Sequence, residues 1–143
     1  MKGREGLEAY IRDFVAKDRL GALLGARFIS LSAKECRYEY EPTPEHYNPN
    51  GILHGGVLFS IMDTSQGLFV HSFLEEDYRA AATGTATIRY LAPVRSGKIS
   101  IRTWMTRREG RKLFIASEAR DGNGRQVAAL DEVWIAIKED RDG

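Results

Sequence analysis

A chain of 143 residues, 43% hydrophobic and 29% charged, fits one globular domain able to bury roughly two thirds of its unfolded surface. Its net charge of +1 creates no global attraction to nucleic acid or an acidic membrane, so an anionic ligand would need a local basic cluster. The single cysteine, Cys36, excludes an internal disulfide framework and suits a reducing compartment.

The first residues, MKGREGLEAYIRDF, mix charges with apolar side chains and do not read as a signal peptide. No stretch approaches the ~20 apolar residues that span a bilayer. The expected location is cytoplasmic. Leu7, Tyr10, Ile11, Phe14 and Val15 recur at helical spacing, which predicts an amphipathic helix over 7–18. Residues 26–32 and 35–41 read as strands, the second alternating through Cys36, Tyr38 and Tyr40. The Pro-, Asn- and Gly-rich EPTPEHYNPNG then predicts a sharp loop. A long, charge-poor apolar segment opening on Gly55-Gly56 predicts a buried helix over 55–73. Four strands follow, over 82–91, 97–107, 112–120 and 126–137, with Asp121-Gly-Asn-Gly124 as a hairpin turn. Along the second of these, Ile99, Ile101, Thr103 and Met105 share one face and Trp104 takes the other. No linker or repeat divides the chain. The economical reading is an α+β fold, a meandering antiparallel sheet wrapped around one helix. The N-terminal segment 1–24 stands apart from the body, 25–143.

Between Gly55 and Leu74 the only formal charge is Asp63. At about 100° per residue, Val57, Leu58, Ile61, Leu68 and Phe69 fall opposite it and should pack on the sheet. The Asp63 side holds Gly56, Phe59, Gly67 and Val70, with Ser60 and Gln66 at its margins. That is not a solvent-like face, and it predicts cover by another subunit or a ligand. Gly67 costs about 1 kcal/mol of helix propensity, which a close approach would explain. An arbitrary helix aspartate is usually a solvated one. A carboxylate partly removed from water instead gains proton affinity and becomes a better base or nucleophile. The glycines after His54 either make a tight turn or leave the helix N-terminal amides open to a developing oxyanion. Gly55 and Asp63 lie eight residues apart, about 12 Å along a helix axis. Both can touch one carbonyl only if they come from different subunits, so catalysis would require at least a dimer.

The string Asn48-Pro-Asn-Gly51-Ile-Leu-His54-Gly55-Gly56, with Asp63 seven residues on, resembles the PaaI-like (phenylacetyl-CoA thioesterase type) branch of the hotdog superfamily. ATIRYLAPVRSG at 86–97 looks like that family's strand after the helix, and GRKLFIASEARDGNGRQVAAL at 110–130 like its closing hairpin. The resemblance covers about 25–137. It implies the hotdog fold and an acyl-CoA thioesterase, with Asp63 as general base or nucleophile and the Gly55 N–H polarising the thioester carbonyl. It further implies that Asn48 helps place water or carbonyl, that His54 supports the loop, and that Thr83 assists the water. Each site would take Asn48, His54 and Gly55 from one subunit and Asp63 and Thr83 from the other. The family's dimers commonly pair into homotetramers.

Gly56, Phe59 and Gln66 are further expected substrate contacts, and Phe59, Met62, Gln66, Tyr90 and Trp104 are candidate linings for an aromatic or medium-chain acyl group. No cofactor is expected, coenzyme A being part of the substrate; its phosphates need cations, and Arg95 with Lys98, or Arg107, Arg108, Arg111 and Lys112, are the clusters available. His46, His54 and His71 lack metal spacing, and Cys36 reads as a core thiol rather than a nucleophile. Two other classes compete. A hotdog dehydratase or hydratase would need a different loop from His54-Gly-Gly, and a non-catalytic acyl-CoA-binding regulator would need a DNA-binding module that the first 24 residues are too few to form.

Overall fold

The computed structural model describes residues 3–140. Two helices, α1 (Arg4–Lys17) and α2 (Arg19–Leu24), lead into β1 (Ala26–Leu31) and β2 (Cys36–Tyr40). A loop holding a single 3-10 turn at Pro44–His46 then delivers the long helix α3 (Gly55–His71). Strands β3 (Tyr78–Tyr90), β4 (Ile99–Glu109), β5 (Lys112–Arg120) and β6 (Gln126–Lys138) complete the chain.

The six strands form one antiparallel sheet in the order β1-β2-β4-β5-β6-β3. This is the α+β hotdog arrangement that the resemblance implied, but it is not a simple meander. β1 with β2, and β4, β5 and β6 in turn, follow one another as hairpins; α3 carries the chain across the sheet, so β3 lands on the far edge beside β6. The β5–β6 turn forms where expected. The Asp121 carboxylate accepts from the Asn123 and Arg125 amides at 2.9 and 3.0 Å, and Gly124 takes a φ of 80° that a side chain would resist.

The core lies between α3 and the concave face of the sheet. Leu58, Ile61, Leu68 and Phe69 are at most 3% exposed, and they meet Tyr38, Tyr40, Ile99, Ile101, Leu113, Ile115 and Leu130. At roughly 1.5–3 kcal/mol per buried large apolar side chain, this stripe is the main reason α3 docks where it does. Thr103 follows the inward alternation of β4, but Met105 is 39% exposed, just before an irregularity in the β4–β5 register. Cys36 is fully buried with its thiol pushed up to about 12 by desolvation, as a core thiol should be.

The N-terminal helix departs from its predicted span. It starts earlier and ends at Lys17, where the Asp18 carboxylate accepts from the Gly21 amide and starts α2 as a separate turn. Val15 is exposed rather than part of the apolar face. Strand β3 begins at Tyr78, four residues before its expected start. The run Arg79-Ala-Ala-Ala82 has no alternation to betray a strand, and pairing with β6 imposes one. Among the described residues no helix is long and apolar enough to cross a membrane.

Candidate active site

Helix α3 places its N-terminus at one end of the sheet and Asp63 midway along. His54 is the N-cap. Its Nδ1 accepts from the Gly56 amide at 2.9 Å, while its carbonyl takes the Val57 and Leu58 amides. The Gly56 N–H is therefore spent inside the cap. The Gly55 N–H has no hydrogen-bond partner among the described residues, which leaves a free donor at the positive end of a helix dipole. Glycine leaves room there for a neighbouring ring. A Cβ on Gly55 would lie 2.7 Å from the Tyr90 ring, whose hydroxyl donates to the Gly55 carbonyl at 2.6 Å.

Asn48 organises the loop that leads to this cap. Its Oδ1 accepts from the Asn50 and Ile52 amides at 2.9 and 3.1 Å, and Gly51 closes the turn at a φ of 73°. With Oδ1 committed, the amide NH₂ is what Asn48 can offer a ligand. Beside the loop, Ile52, Leu53, Gly55, Leu58, Tyr90, Leu91, Ala92, Pro93 and Val94 line an apolar cavity of about 490 Å³. Pro93 and Val94 also border a polar hollow of about 390 Å³ flanked by Arg95, Ser96, Asn123 and Arg125. Arg95 thus borders a hollow that shares Pro93 and Val94 with the cavity beside Gly55.

Asp63 is half-buried, and the exposed Thr83 hydroxyl donates to its Oδ1 at 3.5 Å. Thr83 reaches this position beside a register irregularity at Gly84, where a side chain would press on Ile135 at 3.2 Å. Within one chain, then, the structure gathers Asn48, His54 and Gly55 at one end of α3 and Asp63 with Thr83 further along. It does not bring the two groups together.

Other expected contacts stand elsewhere. Phe59 is half-buried against the core. Met62 is fully buried, and Trp104 carries the Arg102 guanidinium 4.5 Å over its ring. Gln66 is fully buried too, a correction to its expected place as a substrate contact. It donates to Ser117 Oγ at 3.0 Å and to the Leu130 carbonyl at 3.4 Å, and accepts from Trp134 Nε1 at 2.9 Å. Val70 and Gly67 are likewise covered by this chain itself. Phe14 of α1 and Trp134 of β6 close over Gly67, and the Tyr10 hydroxyl bonds the Leu68 carbonyl at 2.6 Å. Arg108 forks onto Glu75 at 2.5 and 2.8 Å and gives its Nε to the Gly110 carbonyl. Its guanidinium is committed within the chain, which removes it as a phosphate ligand in this arrangement.

One acid beside Asp63 escaped the sequence reading. Glu132 on β6 is 2% exposed, accepts from Trp134 Nε1 at 3.1 Å, and lies in side-chain hydrogen-bonding reach of Asp63. A signal existed: Glu132 falls between Leu130 and Trp134 on the inward face of β6, where a charge has no place without a partner. Among the described residues no group of three or more His, Cys, Asp or Glu is arranged to hold a metal ion.

Residues 50–128 match the thioesterase superfamily, a span that holds Gly55, Asp63 and Thr83. The chain belongs to that superfamily. Several solved structures share the fold of this thioesterase-superfamily chain. The PaaI protein from the phenylacetic acid degradation operon of Escherichia coli superposes with a TM-score of 0.83 at 20% identity, over 92% of this chain and 93% of that one. A thioesterase from Haemophilus influenzae gives 0.79 at 19% identity, over 87% and 86%. In sequence, a Saccharolobus solfataricus protein assigned to the esterases by name only is 23% identical over 130 residues, 90% of this chain and 85% of that protein.

Proposed function

We propose that this thioesterase-superfamily chain hydrolyses the thioester of acyl-coenzyme A carrying a small aromatic or a short- to medium-chain acyl group. The observation that carries the reading is the unpartnered Gly55 N–H at the N-terminus of α3, opening on an apolar cavity, with Asp63 further along the same helix contacted by Thr83 of β3. The carbonyl oxygen sits on the Gly55 amide and the acyl carbon faces the partner subunit's carboxylate. In one route the carboxylate takes a proton from water, the hydroxide oxygen bonds the acyl carbon, the C–S bond breaks, and the thiolate leaves with the proton. In the other the carboxylate attacks the carbon itself, the C–S bond breaks and the thiolate leaves, and water then cleaves the mixed anhydride, giving the free acid, the regenerated carboxylate and a proton for the thiolate. Asn48 offers its NH₂ to water or carbonyl, Thr83 orients the carboxylate or water, and Arg95 meets a phosphate of the coenzyme. The reaction needs no further cofactor and runs in the cytoplasm.

The assembly is a homodimer at least, with a homotetramer as its family form. Two features support it. The about 12 Å between Gly55 and Asp63 along α3 is too far for one carbonyl. Strand β3 is also an edge whose residues Ala82–Thr87 are exposed, and a second copy would complete its open ladder. The test is a screen of acyl-coenzyme A esters of graded length and aromaticity, with Asp63→Asn carried alongside. Loss of hydrolysis with retained binding supports the enzyme. Full activity in the variant removes Asp63 from the mechanism, and binding without hydrolysis in the native protein favours a binder. Label from ¹⁸O water appearing in Asp63 after a single turnover selects the anhydride route. A monomer in solution would overturn the shared site.

A further inference from the structure

Glu132 is built in more firmly than its role as a strand residue needs. It faces the interior from β6, with Ala86 of β3 and Ile115 of β5 as its cross-strand neighbours. Its Oε2 accepts from the Trp134 indole, which is itself fixed by Gln66. Gln66 in turn begins a buried chain through Ser117, Thr103 and Ser65 to the Cys36 thiol, with steps of 3.0, 2.7, 2.8 and 3.9 Å. Every polar side-chain atom along this chain has a partner. Glu132 Oε1 is the exception, since it is buried and meets no donor. The neighbouring polar group is another acid, Asp63, at side-chain hydrogen-bonding reach. Two carboxyl groups bond in this way only when one of them carries a proton.

We propose that Glu132 is a positioning residue for Asp63: it stays protonated in the folded protein and donates its hydroxyl hydrogen to the Asp63 carboxylate, fixing that carboxylate for the reaction. The inference rests on the reading of Asp63 as the reacting acid. Burial decides which acid keeps the proton, because Glu132 is 2% exposed whereas Asp63 reaches the surface. Desolvation, then the hydrogen bond and charge of Asp63, push the Glu132 carboxyl up to about 9, against a smaller opposing effect of the Trp134 donor. Asp63 is the titratable side chain that faces it. Its other near neighbours are the neutral Gln66, Trp134, Ala86 and Ile115, and His71 beyond the indole has both ring nitrogens engaged by the Gly67 carbonyl and the Ala81 amide. Asp131 and Val133 point to the opposite face of the strand. Glu132 lies on β6, beyond the segment 50–128 that matches the superfamily.

The test compares the full-length native protein with Glu132→Gln and Glu132→Ala. Glutamine reproduces a protonated glutamate, with an oxygen for Trp134 and an N–H for Asp63. With the acyl-coenzyme A hydrolysed fastest in the screen, Glu132→Gln should keep kcat within about threefold at neutral pH. It should also lose the alkaline fall in kcat expected of the native enzyme as Glu132 ionises against Asp63 at high pH. Glu132→Ala should lose kcat by about tenfold or more with little change in KM, the scale of one lost hydrogen bond to a charged group. Two readouts do not depend on turnover. At neutral pH the infrared C=O stretch of a protonated carboxyl should appear in the native protein and vanish in Glu132→Gln. Thermal stability should also respond to pH. The folded chain holds a proton that the unfolded chain releases around the ordinary glutamate value of 4.5, so native stability should fall as pH rises from there to about 9. That slope should flatten in Glu132→Gln. A missing carboxyl band, or Glu132→Gln as impaired as Glu132→Ala with its fold intact, overturns the proposal. Absent hydrolysis of every ester with the band and slope intact would instead overturn the enzymatic reading and leave the shared proton standing.

Discussion

The two polar systems attached to α3 are opposites in how they spend their hydrogen bonds. On the sheet side, Ser65 and Gln66 belong to a closed chain in which each donor meets an acceptor of the same molecule. On the other side, Asp63 holds one long contact from Thr83, and Gly55 keeps an amide with none. A satisfied buried network rigidifies and specifies the fold, because an unpaired member would cost its full desolvation. Unspent groups at a surface contribute nothing to stability and are available to a ligand. The same helix thus carries a structural face and a reactive one, two residues apart at Asp63 and Ser65, and Glu132 is where the two meet.

Substitutions can break this division in decreasing order of effect. Asp63→Asn should lower kcat by about 10²–10⁴-fold, the usual contribution of a positioned base, while the denaturation midpoint hardly moves; steady-state kinetics beside a urea titration reads both. Gly55→Ala should cost about 10²-fold or more in kcat, the range for one lost oxyanion donor. The new methyl would strike the Tyr90 ring at 2.7 Å and displace the amide, so Gly55→Ala combined with Tyr90→Ala should recover part of the loss. Gln66→Leu should act in the reverse sense. It leaves Trp134 with Glu132 alone and Ser117 with Thr103 alone, and should cost about 1–3 kcal/mol of stability by urea denaturation, with kcat lowered less than in Gly55→Ala. Thr83→Ala should be mildest, a fall in kcat of less than about tenfold without change in stability, because the contact is 3.5 Å long and exposed.

Much of this division could be read from the residues. The lone charge in an apolar helix, the glycines after His54 and the alternation of β2 and β4 are all local patterns that the backbone makes legible. What resisted reading needed contacts between distant segments. Gln66 sits at the margin of the Asp63 face on a helical projection, and only the sheet's polar inward residues Ser117 and Thr103 show why it turns inside. Gly67 signals a close approach, as expected, but the covering groups are Phe14 and Trp134 of the same chain, brought there by α1 and β6. The commitment of Arg108 to Glu75 is a pairing between residues 33 positions apart that no local pattern encodes. Strand β3 ran past its apparent start because edge pairing with β6, not propensity, sets its length.

The far end of the hydroxyl chain has a practical consequence. Cys36 is sealed from solvent and its thiol resists ionisation, so alkylating or oxidising reagents will reach it only when the core opens. The rate at which this one sulfur is labelled therefore serves as a clock for breathing of the whole sheet. A dimer partner or bound ester that tightens the molecule will slow that clock without ever touching the cysteine.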